Sequence, residues 1–520
     1  MNKELNISLE PKLASDECYY RPIVALKLGI KENEITLIRV IRKSIDARQR
    51  MVKINLGVVV YWGESAPKIE KPVFKYENVA QKDPVVIVGA GPAGLFAALR
   101  FIELGMKPII VERGKAVNDR KKDIAAIYQE HIINPDSNYG FGEGGAGTFS
   151  DGKLYTRSKK RGDIKRILEV FHYHGAQDEI LIDAHPHIGT NVLPRVISKI
   201  RESILNAGGE ILFNSRVIDF TIHEGRVCGV ELKDGSRIDG KAVVLATGHS
   251  ARDIYELLHR KGITLEAKSF AMGVRVEHPQ EIIDTIQYHR PGRGKYLPAA
   301  AYSFAEQVEG RGVYSFCMCP GGVIVPAATA PGEHVVNGMS PSGRNTPFAN
   351  SGMVVEIRTE DLKDYGQYET FAGLEFQRQT EQLSFRMAGK TQFAPGQRLV
   401  DFLDGRLSAT LPRSSFRPGV VSSPMHEWLP SFIRQRLQIG FKQIARKSSG
   451  FVTNEAMILG VESRTSSPVR IPRNESTLEH IHCTGLFPCG EGAGYAGGIV
   501  SSAVDGERCA EQVYSLYGRS

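Results

Sequence analysis

The stretch PVVIVGAGPAGLFAALR, residues 84–100, constrains the fold of this chain more than any other segment. An apolar run typical of a buried strand, Val85–Val88, leads into Gly89, Gly91 and Gly94, and an apolar helical stretch follows. In this strand–turn–helix setting the spacing G-x-G-x-x-G indicates dinucleotide binding. The first glycine permits the tight turn, the second lets the backbone approach a pyrophosphate, and the third lets the helix pack closely on the strand. The positive dipole end of that helix favours the diphosphate.

The motif is followed by the acidic residue that dinucleotide sites use. Pro108–Val111 is typical of a second strand, and it ends at Glu112, eighteen residues after Gly94. A carboxylate there accepts hydrogen bonds from both ribose hydroxyls and repels a 2′-phosphate, which favours FAD or NAD over NADP. The alternative is a glycine-rich turn of an α/β protein that binds no ligand.

Composition predicts an ordinary soluble globular protein. The 520 residues are 42% hydrophobic and 24% charged, and the net charge of +8 is too small to indicate nucleic acid by itself. No run reaches the roughly 18 apolar residues that span a bilayer, and the N-terminus lacks the apolar core of a signal peptide. The seven cysteines include no C-x-x-C pair, which predicts a reduced, cytoplasmic protein without a disulfide framework or a metal site.

Residues 1–80 precede the fingerprint and are predicted to form a small α+β module. Ile23–Leu28 alternates as a strand does, Glu34–Ser44 has a helical pattern, and Val52–Trp62 is typical of a strand. The composition of residues 67–84 predicts a linker. The module also carries a basic cluster, formed by Arg39, Arg42, Lys43, Arg48, Arg50 and Lys53. A solvated face is the simpler interpretation of this cluster, and an anionic partner or substrate is the alternative.

The rest of the chain predicts one domain interrupted by another. Residues 138–154 contain six glycines, which indicates backbone lying close to a ligand, although a flexible surface loop is the alternative. Helical and strand patterns continue to residue 246, the pattern from 260 to 480 is mixed, and a helix is predicted at 499–514. We therefore predict an N-terminal module (1–80), a dinucleotide-binding domain (81–260 and 481–520) and an inserted substrate or cap domain (261–480).

Two further segments resemble a known fold. The strand ending in Thr-Gly at 243–253, VVLATGHSARD, and the glycine-rich segment at 485–507 resemble elements of the two-dinucleotide-binding-domain flavoproteins, the glutathione-reductase-like FAD fold. The resemblance implies an α/β protein in which a Rossmann domain binds FAD and carries an inserted mixed α+β substrate domain. It places Glu491 where it accepts a ribityl hydroxyl. The helix after Gly498 would direct its positive dipole end toward the flavin edge that gains negative charge on reduction.

The chain also resembles a bacterial family of FAD-dependent dehydrogenase-like proteins, which are NAD(P)/FAD-dependent oxidoreductases. The motifs that carry this resemblance span nearly the whole chain and include RKSIDARQ (42–49), FGEGGAGTFSDGKL (141–154), FAMGVRVEHPQ (270–280), FCMCPGG (316–322) and VESRTSSPVRI (461–471). The resemblance implies FAD contacts from Gly89, Gly91, Pro92, Ala93, Gly94, Glu112, Arg113, Arg120, Gly144, Gly145, Ala146, Gly147, Thr148, Val217, Ala246, Thr247, Gly248, Gly490, Glu491, Gly497, Gly498 and Ile499.

Candidate catalytic residues lie in the predicted inserted domain. Cys317 and Cys319 form a C-x-C pair, whose disulfide would be strained and easily reduced, as a flavin-linked catalytic disulfide is. Two small buried residues are the alternative. Arg275 and Arg464 are candidates for binding an anionic substrate or stabilising reduced flavin, or else are structural ion-pair residues. No second G-x-G-x-x-G follows a strand, so NAD(P)H stays open as the reductant without a dedicated motif.

Three functions remain open at this point. The one we favour is an FAD-dependent oxidoreductase that transfers a hydride or electrons between flavin and a small-molecule substrate, without a membrane partner. The second is a flavoprotein that acts on RNA through the basic N-terminal module, which the modest net charge does not favour. The third is a non-enzymatic redox sensor in which Cys317 and Cys319 are the switch.

Overall fold

The computed structural model describes residues 1–63, 65, 67–68, 72–155 and 162–518, so part of the predicted linker lies outside the described residues. The α-helices are α1 Glu17–Leu28, α2 Pro92–Glu103, α3 Val117–Glu130, α4 Ile164–Tyr173, α5 Leu193–Asn206, α6 Arg252–Arg260, α7 Gln280–Tyr288, α8 Ala372–Met387, α9 Leu399–Asp404, α10 Met425–Trp428, α11 Ser431–Lys447 and α12 Ile499–Tyr517. Short 3₁₀ segments lie at Glu32–Glu34, Gly145–Gly147, Asp178–Leu181 and Thr359–Phe371.

The strands are β1 Asn2–Leu9, β2 Ile35–Asp46, β3 Lys53–Trp62, β4 Pro84–Val88, β5 Lys107–Val111, β6 Glu210–Leu212, β7 Val217–His223, β8 Arg226–Leu232, β9 Arg237–Asp239, β10 Val243–Leu245, β11 Glu266–Ala267, β12 Phe270–Pro279, β13 Ala305–Val308, β14 Arg311–Cys319, β15 Val323–Pro326, β16 Val336–Met339, β17 Phe348–Ile357, β18 Ala394–Arg398, β19 Val420–Ser422, β20 Met457–Glu462, β21 Val469–Arg470 and β22 Leu486–Pro488.

The N-terminal module contains helix and sheet, but two predictions for its elements are wrong. Ile23–Leu28 is the second half of helix α1, because Asp16 caps the helix start by accepting a hydrogen bond from the Cys18 N–H, and left-handed Gly29 ends it. Residues 34–44 fall mainly in strand β2, whose β-branched residues pair antiparallel with β3. The prediction of a strand at 52–62 is confirmed by β3. An apolar run of six residues, such as Ile23–Leu28, is too short to distinguish the period of a helix from that of a strand.

The basic cluster of this module lies on the surface of β2, the following turn and β3. All six of its side chains are exposed. One of them, Arg48, is paired with Asp46 at 2.6 Å. Exposure alone does not separate a solvated face from a docking surface, so an anionic partner at this module stays a prediction.

A five-stranded parallel sheet, ordered β22-β10-β4-β5-β6, carries the glycine fingerprint. Val85 and Ile87 of β4 pack into a core with α2, α5 and α12, whereas Val86 and Val88 pack with α6 on the opposite face. Burial on both faces explains why the β4 sequence is continuously apolar rather than alternating. From β4 the neighbours β5 and β10 lie on opposite sides, and open parallel sheets bind ligands outside the carboxyl ends of the strands at such a point.

A second sheet of seven strands, ordered β13-β14-β17-β12-β20-β18-β19, comes from residues 305–319, 348–357, 270–279, 457–462, 394–398 and 420–422. Its apolar face packs on α11 through Leu437 and Phe441. The pairing of β14 with β17 shifts register between Phe316 and Cys319, which marks a bulge in β14. Among the described residues, no helix combines the length and the hydropathy that crossing a lipid bilayer requires.

Candidate flavin site

A cavity of about 310 Å³ lies at the carboxyl ends of β4, β10 and β22, and residues of strands β14 and β16 also line it. Most of the residues predicted from the sequence line it: Gly89, Gly91, Pro92, Ala93, Glu112, Arg113, Gly145, Ala146, Gly147, Val217, Ala246, Thr247, Gly248, Gly490, Glu491, Gly497, Gly498, Ile499, Cys317, Cys319 and Arg464. Five predicted residues lie behind the lining instead: Gly94, Arg120, Gly144, Thr148 and Arg275.

The three fingerprint glycines have different geometric reasons for lacking a side chain. A Cβ on Gly94 would lie 2.0 Å from the Gly89 carbonyl oxygen, so this glycine lets α2 start against the turn. Gly89 has φ +107, and a Cβ there would lie 2.5 Å from the Ala246 oxygen. Around Gly91 an added Cβ meets nothing within 4 Å. Gly91 therefore faces open space at the start of α2, where a diphosphate would meet unpaired N–H groups.

Glu112 joins three loops at the edge of the cavity. Its Oε2 atom accepts a hydrogen bond from the Ala90 N–H at 2.9 Å, and its Oε1 atom accepts from the Gly114 and Gly142 N–H groups at 2.9 and 3.0 Å. The side chain is buried yet lines the cavity. The carboxylate thus organises the turns themselves, and Oε2 retains a lone pair for a ribose hydroxyl.

The glycine-rich loop after residue 138 is shaped from behind by side chains predicted as cofactor contacts. Arg120 is fully buried and donates to the carbonyl oxygens of Asn138, Tyr139 and Glu143 at 2.7–2.9 Å. The Gly144 N–H donates to the Ala90 oxygen at 2.8 Å. The Thr148 hydroxyl donates to the Glu143 oxygen. These residues position Gly145–Gly147 against the fingerprint, where a Cβ on Gly145 would lie 3.2 Å from Gly91 Cα.

Glu491 faces the cavity near the N-terminus of α12. Burial raises the pKa of Glu491 to about 7. Its Oε2 atom lies 3.7 Å from His249 Nε2, and burial lowers the pKa of His249 to about 4, with the Arg464 charge adding to the effect. The histidine is therefore neutral at neutral pH, and the contact is not a full ion pair. Below about pH 7 the protonated Glu491 donates a hydrogen bond instead of only accepting.

A buried ion pair that sequence reasoning missed holds the turn before Glu491. Arg473 contacts both carboxylate oxygens of Asp505 at 2.6 and 2.9 Å, and Asp505 accepts the Gly490 N–H at 2.8 Å. Cys489, Asp505 and Cys509 bring potential metal ligands within 4.8 Å of one another. The guanidinium of Arg473 already supplies the positive charge there, and it also reaches the Cys509 sulfur at 3.6 Å. No separate sequence motif distinguishes Arg473 from a surface arginine.

The predicted cysteines lie on the β14 bulge and line the same cavity as the fingerprint. Cys317 is exposed to the cavity and has φ +45, and Cys319 is buried with its Sγ donating to the Cys317 oxygen at 3.3 Å. Arg275 lies behind them with no exposed surface. It pairs with Glu462 at 2.6 Å and donates to the Cys317 oxygen at 2.7 Å. Arg275 therefore supports the wall and does not reach the cavity itself.

Arg464 is part of a buried network of two arginines and two glutamates. It lies 2.9 Å from Glu381 and 3.0 Å from Glu333, and Arg252 pairs with the same two carboxylates at 2.9 and 2.8 Å. Burial and the neighbouring Glu381 raise the pKa of Glu333 to about 7. Despite its own burial, Glu381 has a pKa held well below its usual range by the two arginines. Arg252 begins α6 behind the parallel sheet, so the network ties both sides of the cavity together.

Several cavity residues were not singled out from the sequence, among them Asp151, Lys153 and Asn337. Asp151 and Lys153 lie near the end of the glycine-rich motif, and Asn337 lies on strand β16. Asp151 Oδ2 accepts from Arg344 at 2.8 Å, while its buried Oδ1 has no partner among the described residues. Burial alone would raise the pKa of Asp151, but Arg344 and Lys153 outweigh it and lower that pKa. The motif FGEGGAGTFSDGKL contains Asp151 and Lys153, so the sequence did point to this segment. The interpretation rested on its many glycines and passed over these two charged residues.

Comparison with known families agrees with this geometry. The family described as FAD-dependent protein, C-terminal domain-like, matches residues 269–465, and an FAD binding domain family matches residues 84–120, which include the fingerprint and Glu112. A domain of unknown function matches residues 1–61. A glycine turn with open space for a diphosphate and a carboxylate at the ribose position fits the same cofactor, so the chain binds FAD.

Individual proteins extend the comparison. Protein FixC of Escherichia coli (strain K12) is 26% identical over 214 residues, 38% of this chain and 44% of that protein. The structure of CtdE in complex with FAD (12% identical, TM-score 0.31) covers 84% of this chain and 90% of that chain. Aquifex aeolicus GidA (14% identical, TM-score 0.31) covers 85% and 64%. Scores this low carry no structural argument.

One relative matches at full length. An uncharacterized protein of Clostridium beijerinckii is 40% identical over 513 residues, which are 95% of this chain and 95% of that protein. Because the match covers the N-terminal module, the fingerprint and the seven-stranded sheet alike, this chain belongs to the same family of FAD-binding proteins as the Clostridium beijerinckii protein.

Proposed function

We propose that the protein is an FAD-dependent oxidoreductase, which moves a hydride or electrons between the flavin and a small molecule. The observation that carries this proposal is a single cavity with two unlike sides. One side, the glycine wall, consists of Gly89, Gly91, Gly145, Gly147, Gly490, Gly497 and Gly498. The other, the side-chain wall, consists of Lys153, Phe316, Cys317, Cys319, Asn337 and Arg464. Backbone suits a cofactor, and varied polar side chains suit a substrate.

The glycine wall presents two helix starts to the cofactor. Helix α2 begins after Gly91, and helix α12 begins after Gly498. Both ends carry N–H groups that lack partners within their helix, and both carry partial positive charge. The first suits the diphosphate, and the second suits a flavin edge that becomes more negative. When bound, the flavin supplies reversible two-electron chemistry.

The side-chain wall favours a substrate that presents acceptor oxygens. Lys153 brings an ammonium group to the cavity, and its Nζ donates to the Met318 oxygen. The Oδ1 atom of Asn337 accepts hydrogen bonds from Arg275 and Gly338, so its amide N–H groups are the part free to face a ligand. Arg464 adds positive charge that its two glutamate partners largely balance. These groups would bind and orient a carboxylate or carbonyl compound.

Anaerobic reduction of the FAD-loaded protein tests the proposal. NADH, NADPH, dithiols and small hydroxy acids are mixed with it, and we expect at least one class to bleach the flavin absorbance. Lys153→Met should raise KM for that reductant and leave the FAD content unchanged, whereas Lys233→Met, on an exposed turn, should change neither. A purified protein that takes up no FAD, or a flavin reduced by dithionite alone, would overturn the proposed function.

A further inference from the structure

We propose that Cys317 and Cys319 form a redox-active dithiol–disulfide pair in the wall of the flavin cavity. The inference deepens the proposed function, because it rests on FAD as one of the two redox partners of the pair. It gives the side-chain wall a second site that stores two electrons.

The positions of the two sulfurs suit this role. Both residues line the cavity, Cys317 exposed and Cys319 buried behind it. The Cys319 sulfur lies 3.3 Å from the Cys317 carbonyl oxygen. Residues two apart in an extended chain are separated by at most roughly 7 Å, and disulfides join Cα atoms about 4.4–6.8 Å apart. The bulge departs from full extension, so the bond needs only local adjustment. The Cys317 sulfur is open to a reaction partner. The Cys319 sulfur is placed to attack a mixed disulfide formed on Cys317 and so to close the internal S–S bond.

The backbone at Cys317 is held in a conformation that a packing cysteine does not need. Its φ of +45 lies in the left-handed region, which side-chain-bearing residues adopt at a cost and which clusters at functional sites. Arg275 donates to the Cys317 oxygen at 2.7 Å, and Lys153 donates to the Met318 oxygen. Arg275 is anchored in turn by Glu462. Two cations therefore donate to consecutive carbonyl oxygens of this short segment and hold the backbone that presents Cys317 to the cavity.

The same cations act on the thiols. Arg275 Nη2 lies 3.6 Å from the Cys319 sulfur. Cys317 opens onto the cavity, but the surrounding protein removes much of the water around its sulfur and raises its pKa to about 12; burial also raises the pKa of Cys319, while Lys153 and Arg275 oppose both shifts. A positive group beside the buried sulfur stabilises its thiolate when an S–S bond breaks, which makes Cys319 the better leaving group. The negative charges of Glu462 and Asp151 act against this stabilisation, because Glu462 raises the pKa of Cys317 and Asp151 raises that of Cys319.

The redox step balances with two electrons. Formation of the S–S bond breaks two S–H bonds and releases two protons and two electrons. A small disulfide takes them and becomes two thiols, or oxidised FAD takes them and becomes reduced. In the reverse direction two electrons cleave the S–S bond, and each sulfur gains a proton.

Thiol mapping tests the pair without relying on activity. The protein is equilibrated with oxidised and reduced glutathione, alkylated, digested and analysed by mass spectrometry. We expect an internal Cys317–Cys319 disulfide in the wild type and a glutathione adduct on Cys317 in Cys319→Ser, because the resolving thiol is gone. Cys18 is exposed, so an adduct there in every variant shows that the oxidant is active. Cys228→Ser is the matched control and should behave as the wild type.

Electron counting provides the second measurement. The oxidised, FAD-loaded wild type should take up four electrons per FAD from dithionite, whereas Cys317→Ser and Cys319→Ser should take up two. Cys317→Ser changes a cavity-exposed side chain, so it keeps the test valid should Cys319→Ser fail to fold. The redox pair is overturned if the wild type takes up only two electrons and the thiol mapping finds either no modification or a persistent glutathione adduct on Cys317. That result would leave the proposed function standing. Failure to bind FAD would count against the proposed function instead.

Discussion

The glycine wall and the side-chain wall of the cavity are built in different ways. The glycine wall comes from the turn after strand β4, the loop at Gly145–Gly147 and the segment between β22 and α12, where local backbone geometry decides the shape. The side-chain wall depends on partners distant in the chain, such as Arg275 with Glu462 and Arg464 with Glu381. A cofactor site can thus be encoded in local turns, whereas the side-chain wall requires the tertiary fold, because the partners that neutralise its buried charges are distant in the chain. Mutations should separate the two walls.

The largest effect is expected on the side-chain wall. Arg464→Met leaves Glu381 and Glu333 with a single arginine in a buried site, and we expect unfolding free energy to fall by about 3–5 kcal/mol. Chemical denaturation measures it. Arg358→Met removes an exposed pair with Glu356 and should change nothing measurable. Equal stability of the two variants would show that the network does not support the wall.

Two glycines of the fingerprint, one behind the cavity lining and one in the glycine wall, should respond differently to an added methyl group. A Cβ on Gly94 collides with the Gly89 oxygen, so Gly94→Ala should cost at least about 3 kcal/mol of stability and abolish FAD binding. Gly91→Ala meets no atom within 4 Å and has φ −76, so the cofactor-free protein should keep its stability and lose only FAD affinity. Thermal unfolding and FAD titration of both variants distinguish the cases. Loss of stability in Gly91→Ala would contradict the open space assigned to the diphosphate.

A smaller effect is expected at the carboxylate that joins the turns. Glu112→Gln replaces an acceptor of three N–H groups by an amide that accepts with only one oxygen. Hydrogen bonds to a charged group contribute about 1.5–3 kcal/mol each, so FAD should bind roughly ten- to a hundredfold more weakly. Fluorescence titration with FAD measures the change. Glu210→Gln, which breaks a surface pair with Lys107, is the control and should bind as the wild type.

The smallest effect concerns pH. Burial raises the pKa of Glu491 in the folded protein to about 7 from its ordinary value of 4.5, so its contribution to stability is complete below about pH 4.5 and is lost as pH rises through 7. Relative to Glu491→Gln, the free energy of unfolding of the cofactor-free wild type should fall by about 1 kcal/mol between pH 4.5 and 7. This is less than the whole pKa shift would give, because the side chain opens onto the cavity. Urea unfolding at several pH values measures the difference. A constant difference across the window would show that Glu491 is solvated like a surface carboxylate.

Prediction from sequence succeeded where local pattern and structure coincide. The strand and helix around the fingerprint and the helix from Ile499 occur as predicted. Two elements of the N-terminal module, at residues 23–28 and 34–44, were predicted wrongly, because a short segment can fit a helix or a strand until its packing or pairing partner is known. Arg120 was predicted to contact the cofactor, yet each of its three side-chain nitrogens donates to a loop carbonyl, and no sequence pattern reveals which acceptors a buried arginine finds.

Local chemistry in the sequence determined the cofactor side of this protein. Glycines at Gly89, Gly91 and Gly94, with an acid at Glu112, specify a turn and a charge within thirty residues, so neighbours along the chain suffice. Only the tertiary structure decided that Cys317 lines the same cavity as that turn, that Arg275 donates to the Cys317 carbonyl oxygen, and that Asp151 and Lys153 also line the cavity. The physical reason is that buried charges need partners. Those partners lie more than a hundred residues away, where no local pattern records them.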